Sequence, residues 1–174
     1  MSFVSNQVAM AIDRKRSEQA LRDSQKRNEL LVAASKDAIL IGTMDGAILD
    51  FNDVSLEMYG YTREELLKLN IVDLIPEDIL EAHPEYIQWE FEQGGEIHDA
   101  RNKRNDGSEF PVDVSMRQAT TKEGPVFIAY VRDITEQKMA AQVIVESEEK
   151  FRALAENSAA GIFIHSGGRH IYVN

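Results

Sequence analysis

Residues 5–31 contain no Gly or Pro, and their apolar positions Val8, Ile12, Leu21 and Leu31 are spread thinly among charged helix formers. This pattern predicts one long, exposed helix. Its stripe is loose, since only Leu21, Asn28 and Leu31 approach heptad spacing, so the helix needs a partner helix or a domain surface to persist. The pattern changes at Ala38. Residues 38–44 and 47–51 are short apolar runs around Asp45-Gly46, the signal for a tight hairpin turn. Asn52 and Asp53 then stand where a helix N-cap is wanted, and Gly60 stands where the short helix over residues 54–59 must stop. Thr62-Arg-Glu-Glu65 has the spacing of a capping box and predicts a second short helix over 63–69. Pro76, Glu77 and Asp78 suit the first turn of a longer helix running to about residue 93, before Gly94-Gly95.

Three strands are predicted next, over residues 96–103, 109–120 and 125–134, with turns at Asp106-Gly107 and Glu123-Gly124. In the middle one Val112, Val114 and Met116 alternate with Asp113, Ser115 and Arg117, giving one buried and one wet face. Residues 126–131 are apolar throughout, which predicts cover on both faces, one side by the domain's own helices and the other by the long helix or a second copy of the chain. A final polar helix is predicted over 136–156, with Ala141, Val145 and Phe151 in loose heptad spacing. Strand, strand, several short helices and a three-strand meander make an α+β domain.

The chain also resembles itself. Residues 157–164 are similar to 34–41, with Ser158 on Ser35 and Ile164 on Ile41; Gly167-Gly168 falls where Asp45-Gly46 stands, and 171–174 match 49–52. Self-similarity at domain length predicts a tandem array. The second copy reaches only its first two strands, and a lone hairpin buries too little surface to be stable. The expectation is therefore a piece of a longer protein.

Composition narrows the chemistry. A net charge of -11 over 174 residues, with no basic stripe longer than Arg14-Lys15-Arg16, argues against nucleic acid as a partner. The chain has no cysteine, which excludes disulfides, thiolate catalysis and a cysteinyl-flavin adduct. No apolar run approaches the roughly 18–20 residues of a membrane span and no signal peptide opens the chain, so a soluble, cytoplasmic protein without membrane insertion is expected. The sequence has no Ser-His-Asp order, phosphate-cradling glycine loop, nucleotide-binding kinase motif or His in a phosphoacceptor setting, so no enzymatic activity is expected of this chain.

Several motifs occur together and in order: Ala38-Ile-Leu-Ile, Asp45-Gly46, Asn52, Gly60-Tyr-Thr-Arg-Glu-Glu-Leu66, Arg104-Asn-Asp-Gly-Ser-Glu-Phe-Pro111 and Arg132-Asp-Ile-Thr-Glu136. They resemble the PAS sensory domains, with their PAC motif, of two-component and related signalling proteins. The resemblance implies a PAS fold, a five-stranded antiparallel sheet in the order 2-1-5-4-3 with short helices on one face, flanked by long signalling helices. It divides the chain into a signalling helix (1–27), a PAS domain (28–138), a linker helix (139–150) and the truncated start of a second PAS domain (151–174). Residues 1–20 are similar to the closing helix of a GAF domain.

The resemblance also implies a signal exit through Asp133, Ile134 and Thr135, whose side chains stand at a strand-to-helix junction where capping alone is the plainer role. It implies a small-molecule cavity, for which Met58, His83, Ile87, Val114, Met116 and Ala129 are candidate lining residues; for Met58, as for Trp89 and Phe91, plain core is the competing reading. His83-Pro-Glu-Tyr86-Ile87 looks similar to the setting of the heme ligand in rhizobial oxygen-sensing kinases, where a neutral imidazole serves ferrous heme. Glu81, Pro84 and Glu85 make that turn polar, and His98 falls where those kinases place the Arg that bonds oxygen; both weigh against heme, and the cofactor stays open. His98, His165 and His170 lack metal-ligand spacing, so no metal site is expected. The expected partners are a second copy of the chain, neighbouring PAS or GAF and output domains of the same polypeptide, and an unidentified small ligand. The alternative is a ligand-free dimerisation and relay module. The implied parent is a sensor histidine kinase or a diguanylate cyclase.

Overall fold

The computed structural model describes residues 2–82, 95–156, 163–166 and 169–173. They fall into two units, residues 1–133 and 134–174.

The first unit opens with helix α1 (Ser2–Ala33), followed by β1 (Ala38–Thr43), β2 (Ile48–Phe51), α2 (Asp53–Tyr59), α3 (Arg63–Leu66), a 3-10 turn (Ile71–Leu74), α4 (Glu77–Ala82), β3 (Gly95–Lys103), β4 (Glu109–Thr121) and β5 (Gly124–Asp133). The strands form one antiparallel five-stranded sheet in the order β2-β1-β5-β4-β3, the order the resemblance implies. Its centre joins Ala38 to Val131, Leu40 to Ala129 and Gly42 to Phe127, and continues outward with Val131 facing Val114 and Ala129 facing Met116.

Because side chains alternate along a strand, these residues share the inner face. Against it pack Met58 and Tyr59 of α2, Leu66 of α3, and Ile71 and Leu74 of the 3-10 turn, in one buried apolar cluster. Each fully buried large side chain in such a cluster contributes roughly 1.5–3 kcal/mol. Gly42 is required by contact: a Cβ there would stand 2.5 Å from the Phe127 ring and from the Ala47 carbonyl oxygen, beside the bulge between Ile41 and Gly42.

Local chemistry explains the short elements. Asn52 caps α2 and Gly60 ends it in the left-handed region at φ 73°, where a Cβ is unfavourable. Thr62 and Glu65 form the expected capping box, but α3 ends at Leu66 rather than at residue 69, with Leu67 as its cap. A second box, Asn70 with Asp73, opens the 3-10 turn that the hydrophobic pattern did not predict. α4 is described as far as Ala82; the rest of the longer helix predicted to residue 93 lies outside the described residues.

Within this single chain the all-apolar run of β5 is covered mainly on its inner face. Val126, Phe127, Ala129 and Val131 are buried, whereas Tyr130, on the outer face, keeps 42% of its surface exposed. On α1, Met10, Leu21, Leu30 and Leu31 are exposed.

The second unit contains helix α5 (Thr135–Glu156) and an antiparallel hairpin of β6 (Phe163–Ser166) and β7 (Arg169–Val173). Met139, Val143, Ile144, Val145, Phe151 and Leu154 are exposed along α5.

Candidate functional site

A buried carboxamide organises the sheet's first corner. Asn52 Oδ1 accepts hydrogen bonds from the Ser55 amide at 3.2 Å, the Ser55 hydroxyl at 2.9 Å and the Ile39 amide at 3.0 Å, while its Nδ2 donates to the Asp37 carbonyl at 3.0 Å. One side chain thereby fixes the start of β1 to the first turn of α2.

The other end of α2 is tied to the β3–β4 turn. The Asn105 amide donates to the Tyr59 carbonyl at 2.9 Å, and Asn105 Nδ2 donates to the Gly60 carbonyl at 3.2 Å. Within the core, Asn102 Nδ2 donates to the Tyr59 hydroxyl at 2.6 Å, and the Tyr59 ring meets Phe110 edge to face at 5.7 Å. Complete burial pushes the Tyr59 phenol well above its ordinary pKa, because the charged form would lose its hydration.

Arg104 completes this arrangement. Its guanidinium lies 3.7 Å from the centre of the Phe110 ring, donates from Nη1 to the Met58 carbonyl near the end of α2, and donates from Nη2 to Asp133 Oδ2 at 2.7 Å. Both side chains of the pair are 28% exposed, so the interaction is screened less than a surface ion pair. Asp133 is the last residue of β5, opposite Val112. Ile134 is buried, and Thr135 is the first residue of α5. The structure thus connects α2 to the end of β5 through one side chain.

Arg132, one residue earlier, is held on the outer face: its Nε and Nη2 donate to the two carboxylate oxygens of Asp37, each at 2.9 Å. Asp113 stands opposite Arg132 in register. The Asp99 amide, with His98 beside it, holds the Asp113 carboxyl below its ordinary pKa. His98 Nδ1 lies 3.5 Å from Asp113 and Nε2 lies 3.8 Å from Glu96. Asp99 itself adopts φ 59° at an irregularity in the β3–β4 pairing.

Of the candidate lining residues, Met116 and Ala129 are cross-strand neighbours on the inner face, Val114 is half-buried beside them, and Met58 is buried in the same cluster. His83 and Ile87 lie outside the described residues. A separate polar cleft of about 290 Å³ is lined by Glu57, Tyr59, Gly60, Arg104, Asn105 and Asp106. Among the described residues no group of three or more His, Cys, Asp or Glu is placed to hold a metal ion.

Sequence reasoning identified Asp133 but missed its partner. Arg104 sits in a recognisable motif, yet nothing in its spacing says that it reaches across 29 positions. The only signal was a basic residue before an Asp-Gly turn and an acidic one at a strand end.

A family model for the PAS domain matches residues 36–136. The chain belongs to the PAS domain family. This PAS domain is 30% identical over 117 residues to the oxygen sensor protein DosP of Escherichia coli, a match covering 62% of this chain and 14% of that protein. It is 24% identical over 155 residues to the sensor protein FixL of Bradyrhizobium diazoefficiens, covering 86% of this chain and 30% of that protein. Among solved structures, the PAS domain of an HTR-like protein from Haloarcula marismortui superposes with a TM-score of 0.58 at 26% identity, covering 69% of this chain and 99% of that one. This is a PAS sensory domain homologous to sensor proteins, and it spans less than a third of either sensor's length. Among the described residues no helix is long and apolar enough to cross a membrane.

Proposed function

We propose that this PAS domain is the signal-input module of a larger cytoplasmic two-component-type protein, binding a small ligand between its helices and inner sheet face. The change passes through Asp133, Ile134 and Thr135 to the outgoing helix. The observation that carries the reading is the double attachment of Arg104, to the Met58 carbonyl and to Asp133. A ligand that shifts α2 against the sheet must then stretch or release the Arg104–Asp133 pair, and an ion pair with two discrete states is the kind of element that converts a small shift into a switch. Met58, Val114, Met116 and Ala129 lie where such a ligand would press.

In this reading the parent is a sensor histidine kinase or a diguanylate cyclase. The chain works as a homodimer, with a second PAS domain after residue 150 and a GAF domain whose closing helix is the first part of α1. The exposed apolar positions of α1 and α5 support pairing with a second copy. The ligand-free relay is the second reading, favoured by the tight burial of Met58, Met116 and Ala129 in the core.

The deciding experiment has two arms. In the intact parent, Arg104→Gln or Asp133→Asn should uncouple the stimulus from output while the protein stays folded; unaltered signalling sinks the relay. In thermal melting of the chain purified with whatever it carries, removal of a native-state ligand should lower the transition, by mass action. A melting point indifferent to extraction and to candidate ligands selects the ligand-free module. For heme specifically, hemin reconstitution is expected to give no sharp Soret band, and a stoichiometric band abolished by His83→Ala would reverse that expectation.

A further inference from the structure

Alternation along β5 sends the last two side chains of the strand to opposite faces of the sheet. Asp133 is gripped on the inner side by Arg104, and Arg132 is gripped on the outer side by Asp37. The two partners belong to different parts of the fold. Arg104 comes from the hairpin bonded to the end of α2, whereas Asp37 lies in the short turn between α1 and β1, where its carbonyl meets the α2 cap Asn52 and its carboxylate turns to the outer face.

That turn is continuous with the end of α1. The Ala34 amide donates to the Leu30 carbonyl at 2.9 Å and the Ser35 amide to the Val32 carbonyl at 3.3 Å. The Asp37 amide then donates to Ser35 Oγ at 3.1 Å, whose hydroxyl donates to the Asp37 carbonyl at 3.0 Å. Asp37 is therefore held against the last turn of α1 by short bonds. Its carboxylate meets Arg132 fork to fork, a geometry that fixes direction as well as distance. Asp37 keeps only 24% of its side chain exposed, so its orientation is set by the turn and not by solvent.

We propose that Asp37 and Arg132 are positioning residues through which the upstream helix acts on the domain's exit directly, along the outer face of the sheet and without passing through the core. The last two residues of β5 then combine two inputs, one per face: the state of the upstream neighbour through Asp37–Arg132, and the state of the ligand site through Arg104–Asp133. The inference rests on the reading of Asp133 as the point of output. It gives a tandem sensor a means of passing an upstream signal through a domain whose own site is unchanged.

Hydrogen exchange on the 174-residue chain tests it, read at the first turn of α5, where the Lys138 amide is bonded to the Ile134 carbonyl at 2.9 Å. Asp37→Asn and Arg132→Gln should each speed exchange there by about two- to fivefold, the local-opening change expected when one partly exposed bidentate pair is lost. The double variant should match Arg132→Gln, which removes the Asp37 pair together with the charge that faces Asp113. Amides of the β1–β5 ladder, such as Leu40, serve as the control and should be unmoved. Unchanged exchange at Lys138 in Asp37→Asn, or an equal rise at Leu40, overturns the proposal. Arg104→Gln is measured alongside: if it speeds Lys138 exchange while Asp37→Asn does not, the outer route falls and the reading of Asp133 stands.

Discussion

Two short helices of the same unit, α2 and α4, are held in opposite ways. α2 is capped at both ends, buries Ser55, Met58 and Tyr59, and spends its terminal carbonyls on Arg104 and Asn105. α4 buries none of its residues. Its described ties to β3 are ionic, Asp78 with Arg101 and Glu77 with Lys103 at 3.8 Å. Burial is not weakened by ionic screening, whereas exposed ion pairs are screened and individually weak. The contrast separates a helix bound through the core, whose displacement is felt at once by Arg104, from a part whose attachment the ionic surroundings can loosen.

The comparison breaks most heavily at Tyr59. Truncation to Ala should cost about 3–5 kcal/mol, the usual result for a large core ring, measured as urea unfolding. A loss under about 1 kcal/mol would mean that α2 is not anchored by burial. Asn52→Ala should cost at least about 2 kcal/mol, more than the ~1 of an ordinary cap, because the Ile39 and Ser55 amides lose a buried acceptor. A cost no larger than a simple cap would demote Asn52 from hub to helix start.

Alkali sharpens the same point. The folded-state pKa of Tyr59 is raised above its ordinary 10.0. Above that pH the unfolded chain releases the proton while the folded chain retains it. The associated stability is present below about pH 10 and declines by up to about 1.4 kcal/mol per pH unit above it. Tyr59→Phe should flatten that decline, measured as denaturation midpoints between pH 9 and about 11; an unaltered slope would place the alkaline loss elsewhere. The smallest effect belongs to α4. Arg101→Gln should cost no more than about 1 kcal/mol, speed local exchange at α4, and lose that effect in about 1 M salt, where the screening length is ~3 Å. An effect equally large in high salt would show packing where ions are inferred.

Much of this architecture was readable from local signals. Asp45-Gly46, Asn52, Gly60 and the Thr62–Glu65 box each act within a few residues, and each performs the structural role its type suggests. Strand positions followed from alternation, as in Val112, Val114 and Met116. The second box at Asn70 and Asp73 is equally local, but its 3-10 turn is too short to show a period. The site was legible only in part. Asp133 could be named and Arg132 stood only within a family motif, while their partners Arg104 and Asp37 depend on the sheet bringing distant segments together. Tyr130 makes a related point: an apolar run states what a strand can bury, not what covers it.

The strand order carries a consequence for how the molecule is made. The central pair of the sheet joins Ala38 to Val131, segments separated by about 90 residues, which ribosomes need roughly 5–20 s to add. During that interval the β1–β2 hairpin exists without the neighbour that completes it, and a hairpin alone is marginal in water. Closure of so long a loop is entropically costly and slow. The sheet's centre is therefore completed only when β5 emerges, and the strand that ends the domain is also the one that lets its core close.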